Sequence, residues 1–329
     1  MTGPANMTGV RAAAGLMLGT CVVVLAACGS CSGSSGGGGD DGGAEATVDA
    51  GPSPTQACTA FATSLCGNLQ TCTPFALELA YGDVATCIQR VTMACAPAFM
   101  VPGTQATPSQ MEACASAVQA ESCDEALDNP QPSACDVPGS VPVTGACGSD
   151  AQCQSGYCKP TTGSLCGTCT ARVPGGSPCT VDGDCAASLV CNAATCIGPL
   201  PIGSACSATQ PCLRSLTCLA GKCATPLPVG QTCTAATDCD GAHGVYCTTK
   251  PKLCTQTQVA AVGQPCGIVS GNLTACTAGA SCANITSNQG TCHPPAADGA
   301  PCGPSISCVP PAVCTSTARC TLPNPSVCH

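Results

Sequence analysis

The chain has 329 residues, of which 37 are cysteine, none is tryptophan and only three each are phenylalanine and tyrosine; 8% are charged and the formal net charge is −9. Cysteine above roughly 8–10% marks a disulfide scaffold rather than a conventional apolar core. Residues 28–138 hold 12 acids against the single base Arg90, and residues 139–329 hold six acids against seven bases. Neither half offers the basic stripe of a nucleic-acid binder, which excludes that class.

Residues 1–27 carry one charge, Arg11, followed by an apolar run of 16 residues from Ala12 to Ala27. That run is short of the roughly 20 residues needed to span a bilayer, and it reads as an export signal. Leu25-Ala26-Ala27-Cys28 resembles the lipobox of bacterial lipoproteins. The resemblance implies cleavage before Cys28, a diacylglycerol on its thiol and an acylated amine. Cys28 is then the lipidation residue, and the membrane is a partner through its lipid. The competing Leu18-Gly19-Thr20-Cys21 is a poorer match, because Thr precedes the cysteine. Residues 28–55 read as a lipidated linker. Its Ser32–Pro54 stretch is rich in Gly, Ser and Asp, carries four carboxylates and has too little apolar surface to offset chain entropy. An exported chain anchored by lipid to the cell envelope, at the outer membrane or cell surface, is the expected setting.

Residues 56–138 read as an α-helical, cysteine-bridged domain. In ACTAFATSLCGNLQTC the positions Cys58, Phe61, Ala62, Leu65, Cys66 and Leu69 follow helical spacing. Thr73-Pro74 and Asp83 predict two further helix starts, the second placing Cys87, Val91 and Cys95 on one face. Thr107-Pro108-Ser109-Gln110 is a capping-box pattern opening another helix. Eight cysteines, Cys58, Cys66, Cys72, Cys87, Cys95, Cys114, Cys123 and Cys135, suffice for four bridges of unspecified pairing.

After Pro138 the segments PGSVPVTGAC, ARVPGGSPC, LPIGSAC, PLPVGQTC, AAVGQPC and AADGAPC recur, each ending in a cysteine. The repeat is 27 residues long from Cys179 to Cys206 and stretches to 36 later. A period near 30 describes an array of small modules, and its Gly-, Pro-, Thr- and Ser-rich loops predict short hairpins with little regular structure. The first module spans 139–200 and contains Cys147, Cys153, Cys158, Cys166, Cys169, Cys179, Cys185, Cys191 and Cys196. Further four-cysteine repeats fill 201–329 with Cys206, Cys212, Cys218, Cys223, Cys233, Cys239, Cys247, Cys254, Cys266, Cys276, Cys282, Cys292, Cys302, Cys308, Cys314, Cys320 and Cys328. The fold class is therefore small and disulfide-rich, a helical domain followed by hairpin modules. With no Phe after residue 100, the array must rely on cross-links.

From Cys147 the reading CGSDAQCQSGYCKPTTGSLCGTCTARVPGGSPCTVDGDCAASLVCNAATC resembles the Dickkopf N-terminal cysteine-rich domain, including its inner C-x2-C. That family has two adjacent cysteines where this chain has Cys185-Ala186. Nine cysteines remain over 147–196, so one pairs outside the unit or stays free. The family's members are secreted antagonists of receptor signalling, and the resemblance implies fold more than activity. The whole chain also resembles the uncharacterised cysteine-rich lipoproteins of GC-rich bacteria.

No catalytic motif stands out. Cys166-Gly167-Thr168-Cys169 lacks the helix of a redox pair, and the isolated His243, His293 and His329 do not complete a zinc pattern. Asp182-Gly183-Asp184 and Asp238-Cys239-Asp240-Gly241 lack the further carboxylates and closing Glu of a calcium loop, so they read as turns beside cysteines. No cofactor, metal or catalytic residue is expected. The expected function is a non-catalytic surface lipoprotein, structural or binding a protein or glycan; the alternative is a secreted hydrolase or hydrolase inhibitor. With Cys28 acylated, cysteine parity leaves Cys31 over.

Overall fold

Ser53 opens the first described helix: its hydroxyl accepts the Gln56 backbone N–H while the Gln56 side chain accepts that of Ser53. With Pro54 at the first position this capping box opens α1 (Pro54–Cys72), slightly ahead of the expected start. The computed structural model describes residues 51–128, 132–161, 164–303 and 306–328; Leu25, Ala26, Ala27, Cys28, Cys31 and His329 lie outside them. Four more helices follow, α2 (Pro74–Tyr81), α3 (Val84–Cys95), α4 (Pro108–Ala120) and α5 (Cys123–Asp128). Asp83 caps α3 by accepting the Thr86 N–H at 2.7 Å, and Thr107 with Gln110 forms the capping box of α4. Thr73 does not cap α2 as its sequence suggests. Its hydroxyl turns back to donate to Leu69 O at the end of α1, and Pro74 alone sets the turn.

Cys58–Cys95 and Cys66–Cys87 tie α1 to α3 as two rungs of an antiparallel pair. Their eight-residue spacing on each helix separates the rungs by about 12 Å. Cys72–Cys123 and Cys114–Cys135 fix α5 and the end of the domain. The core sets Phe61, Phe99, Met111 and Val118 around Cys58–Cys95, with Leu77, Ala80 and Tyr81 around Cys66–Cys87.

Beyond Pro138 six modules share one plan, and the span 139–200, read from sequence as one module, holds the first two of them. In each, the first cysteine bonds the third and the second bonds the fourth: Cys147–Cys158 with Cys153–Cys169, Cys179–Cys191 with Cys185–Cys196, Cys206–Cys218 with Cys212–Cys223, Cys233–Cys247 with Cys239–Cys254, Cys266–Cys282 with Cys276–Cys292, and Cys302–Cys314 with Cys308–Cys320. The ninth cysteine of 147–196, Cys166, crosses the molecule to Cys328. These seventeen bridges use every cysteine from Cys58 onward, and bridges in such number belong to an oxidising compartment, so the protein is exported.

The segment before each first cysteine explains the recurring Pro-x-Gly. The residue six places ahead (Val141, Val173, Leu200, Leu227, Ala260 and Ala296) pairs in parallel with the module's second cysteine. A turn follows, and from its third position Gly176, Gly203, Gly230, Gly263 and Gly299 each donate N–H to the carbonyl of the fourth cysteine. These glycines have φ between 78° and 88°, whereas the first module uses Thr144 at φ 77°. Nothing lies within 4 Å of the place a Cβ on Gly230 would take, so Gly230→Ala tests the backbone alone. It should cost about 1–2 kcal/mol in denaturant unfolding of the oxidised protein. An unchanged midpoint would show that the turn relaxes into another conformation.

The fifth module departs from the expected scarcity of regular structure. Its wider cysteine spacing and β-branched residues support a five-stranded sheet, in the order Gln258–Ala260, Asn272–Cys276, Pro265–Val269, Gln289–His293 and Ser281–Thr286. The first pair is parallel and the others antiparallel.

The array is folded against the helical domain rather than strung out from it. Ser140 N–H donates to Gly103 O, Ser215 N–H and Oγ–H donate to the Asp128 carboxylate, Gly244 packs on Phe75, and Ala278 and Gly279 donate N–H to Glu78 O and Leu79 O. Arg90 on α3 clamps the sixth module: Nη1 and Nη2 meet Asp298 at 2.6 and 2.8 Å, while Nε and Nη2 donate to Pro310 O and Val309 O, each at 2.9 Å. The Cys166–Cys328 bridge then returns the chain end to the first module, closing a belt.

Candidate functional site

The polar side chains of the modules are spent mainly on holding the belt together. Asp184 accepts Thr180 N–H and Oγ1–H at 2.8 and 2.7 Å within its own module, and Lys159 Nζ and Tyr157 O–H at 2.8 and 3.1 Å from the first module. Asp182 accepts Cys191 N–H at 2.6 Å and pairs with Arg214 of the third module. Thr217 Oγ1 donates to Thr237 O, the Tyr246 hydroxyl oxygen accepts Leu273 N–H, and Ser307 Oγ donates to Gly279 O, joining the later modules in turn. Both aromatics of the array thus serve junctions.

These bonds also account for the carboxylates that resemble fragments of calcium loops. Asp238 accepts Thr234 N–H, Thr234 Oγ1–H and Ala235 N–H, and Asp240 pairs with His243 at 2.8 Å. Their ligands are N–H and O–H donors, which serve turns. Cys166 and Cys169 of the C-x2-C do not bond each other. Three sulfurs of a module lie within 4.8 Å of one another because its two bridges cross. Each is half of a disulfide, so none is a thiolate ligand.

The first junction holds the most perturbed groups. Burial drives the Asp150 carboxyl up to about 7, against the opposing pull of the Cys158 N–H it accepts at 2.6 Å and of Arg172, with Asp136 adding to the rise. The Arg172 guanidinium lies 5.5 Å from the centre of the Tyr157 ring. Burial and the Asp184 charge push the Tyr157 phenol up as well. Burial would raise Asp184 too, but its bonds from Lys159, Thr180 and Tyr157 together hold it below the usual carboxylate range. Sequence reading passed over Lys159, Arg172 and Arg214; their signal was the rarity of charge in a chain only 8% charged.

The signs of these shifts predict a pH profile. Between about pH 4 and 7 unfolded Asp150 is ionised while folded Asp150 keeps its proton, so stability falls as pH rises through that window. Asp184 acts oppositely, its contribution present above the unfolded carboxylate range and lost as pH falls below it. The melting temperature should therefore be lower at pH 8 than at pH 5. Asp150→Asn, which keeps an acceptor for Cys158, should remove most of that difference; an unaltered profile would place the titration elsewhere.

Against this internal use of polar groups, one set of side chains faces outward at equivalent places. Val143, Ile202, Val229 and Val262 stand four residues before their module's first cysteine and are 48, 66, 55 and 47% exposed. Gly175 and Asp298 fill the same place in the second and sixth modules, and Asp298 is the residue Arg90 takes. No helix of the described residues is long and apolar enough to cross a membrane. In comparisons with known proteins the chain matches no family model, no curated protein and no solved structure.

Proposed function

We propose that this is a non-catalytic lipoprotein of the cell envelope, anchored through Cys28 and displaying its modules as a rigid binding or structural surface for a protein or glycan. The observation that supports a display role is the division of labour in the array. Charged and aromatic side chains lock modules to one another, while equivalent turns hold Val143, Ile202, Val229 and Val262 out to solvent. Repetition of one exposed residue at one module position is what a multivalent surface requires. The lipobox-like Leu25-Ala26-Ala27-Cys28 supports the anchor, since two or more acyl chains bind a bilayer stably where one does not. Dickkopf-like spacing supports the modular fold and carries no claim to the activity of that family.

The anchor is tested by Cys28→Ala. Radioactive fatty acid should label the parent chain and not the variant, and the variant should leave the membrane pellet while its bridged body stays folded. A variant that still labels and pellets would overturn the lipidation reading. Capture of the oxidised protein on a panel of envelope proteins and glycans, beside a general hydrolase panel, tests the binding role; turnover of any substrate would favour an enzyme.

A further inference from the structure

The six acids and seven bases of residues 139–329 suggest a surface close to neutral, but the folded array is not neutral outside. Asp150, Asp184 and Asp238 are buried, Asp182 pairs with Arg214, Asp298 with Arg90, and Asp240 with His243. With Lys159 on Asp184 and Arg172 beside Asp150, the part-exposed Asp240, whose partner is an imidazole, is the one carboxylate at the surface of the array without a lysine or arginine beside it. Lys222, Lys250, Lys252 and Arg319 remain, all exposed, and none is paired with a carboxylate among the described residues.

The four share one place in the module plan, the hairpin turn between the third and fourth cysteines. Lys222 and Arg319 directly precede Cys223 and Cys320, and pair across to Ala205 and Pro301. Lys250 and Lys252 flank Pro251 in the turn before Cys254, where Leu253 takes the corresponding position opposite Thr232. Arg319 Nη1 donates to Gly299 O, which holds the guanidinium in place without neutralising it. The helical domain has the opposite sign, with Glu78, Asp83, Asp124, Glu125 and Asp136 exposed.

We propose that the hairpin ends of the third, fourth and sixth modules each present cationic contacts, Lys222, Lys250, Lys252 and Arg319, to one acidic polysaccharide chain. The inference rests on the display role and narrows its partner. A neutral glycan is usually gripped by stacking sugar rings on aromatic faces, and both aromatics of the array, Tyr157 and Tyr246, are committed to junctions. Charge is what the array has left to offer: in a chain of net charge −9 these four cations are the places where an acidic polymer meets positive charge at short range. An anionic bilayer fits less well, because four carboxylates lie in residues 32–54, between Cys28 and the body.

The test uses the full exported chain in detergent, applied to beads carrying polygalacturonate or dextran sulfate, with neutral dextran as control. Retention on both acidic polymers is expected at low salt, with release as salt shortens the screening length. Lys222→Glu with Lys250→Glu and Lys252→Glu should weaken binding about tenfold or more at unchanged melting temperature, these side chains being exposed and unpaired. Equal retention of the triple variant, or none of the parent at low salt, would overturn the proposal. So would stronger binding to vesicles containing anionic lipid than to either polysaccharide. Capture of a neutral glycan or a protein unaffected by the triple variant would leave the display role standing and remove this partner.

Discussion

Arg90→Met should lower the stability of the oxidised protein by about 2–4 kcal/mol, although Arg90 is one side chain on one helix. Its guanidinium is mostly buried and satisfies two carbonyls and one carboxylate of the sixth module. Met fills similar volume but leaves Pro310 O, Val309 O and Asp298 without their donor. Asp298, about one third exposed, recovers some hydration, which keeps the cost below that of a fully buried orphan charge. Asp298→Asn added to Arg90→Met should restore part of the loss by removing that charge. Denaturant unfolding of the three variants reads both numbers. A cost for Arg90→Met below about 0.5 kcal/mol would mean the clamp is solvent-screened, as surface pairs are.

Opening the belt should have a comparable effect. Cys166→Ser with Cys328→Ser removes a bond of sequence separation 162, while leaving every module its own two bridges. Chain entropy alone assigns a loop of that size about 5 kcal/mol. The smaller bridges inside it already shorten the effective loop, so a loss of about 2–4 kcal/mol is expected. Hydrogen exchange should rise first in the first module and around Pro325–Val327, where the chain end packs against Gly148. If exchange and melting are unchanged, contacts with the helical domain hold the belt without its clasp.

Local physics was legible in the sequence and long-range partnership was not. Caps at Asp83 and Thr107 were readable because their partners lie three residues away. The rungs of α1 and α3 follow from cysteines on single helical faces, though their pairing does not. The parallel bridge and the turn before the first cysteine were present in the second, third and fourth modules as a repeated Val/Leu-Pro-x-Gly whose meaning appears only with the fourth cysteine in place. Arg90 stood out as the lone base of its half, but Asp298 lies 208 residues away and nothing local marks it. Array periodicity suggests modules that touch only their neighbours, as repeats usually do. Here sparse apolar surface leaves each module too small a core, and the helical domain supplies the missing support.

The overlap of the bridges has a bearing on how this protein meets proteases. Cys58–Cys95, Cys72–Cys123 and Cys114–Cys135 enclose every peptide bond from Cys58 to Cys135, and Cys147–Cys158, Cys153–Cys169 and Cys166–Cys328 enclose every one from Cys147 to Cys328. A single cut inside either block releases no fragment. Between the blocks, the backbone is pinned by Gly139 N–H on Cys153 O, Ser140 N–H on Gly103 O and Val141 N–H on Gln152 O, which denies a protease the extended strand it needs. Ahead of Cys58, no bridge encloses the described residues 51–57. A single cut there would therefore leave the body whole, with both blocks and all their bridges intact, rather than erode it piece by piece.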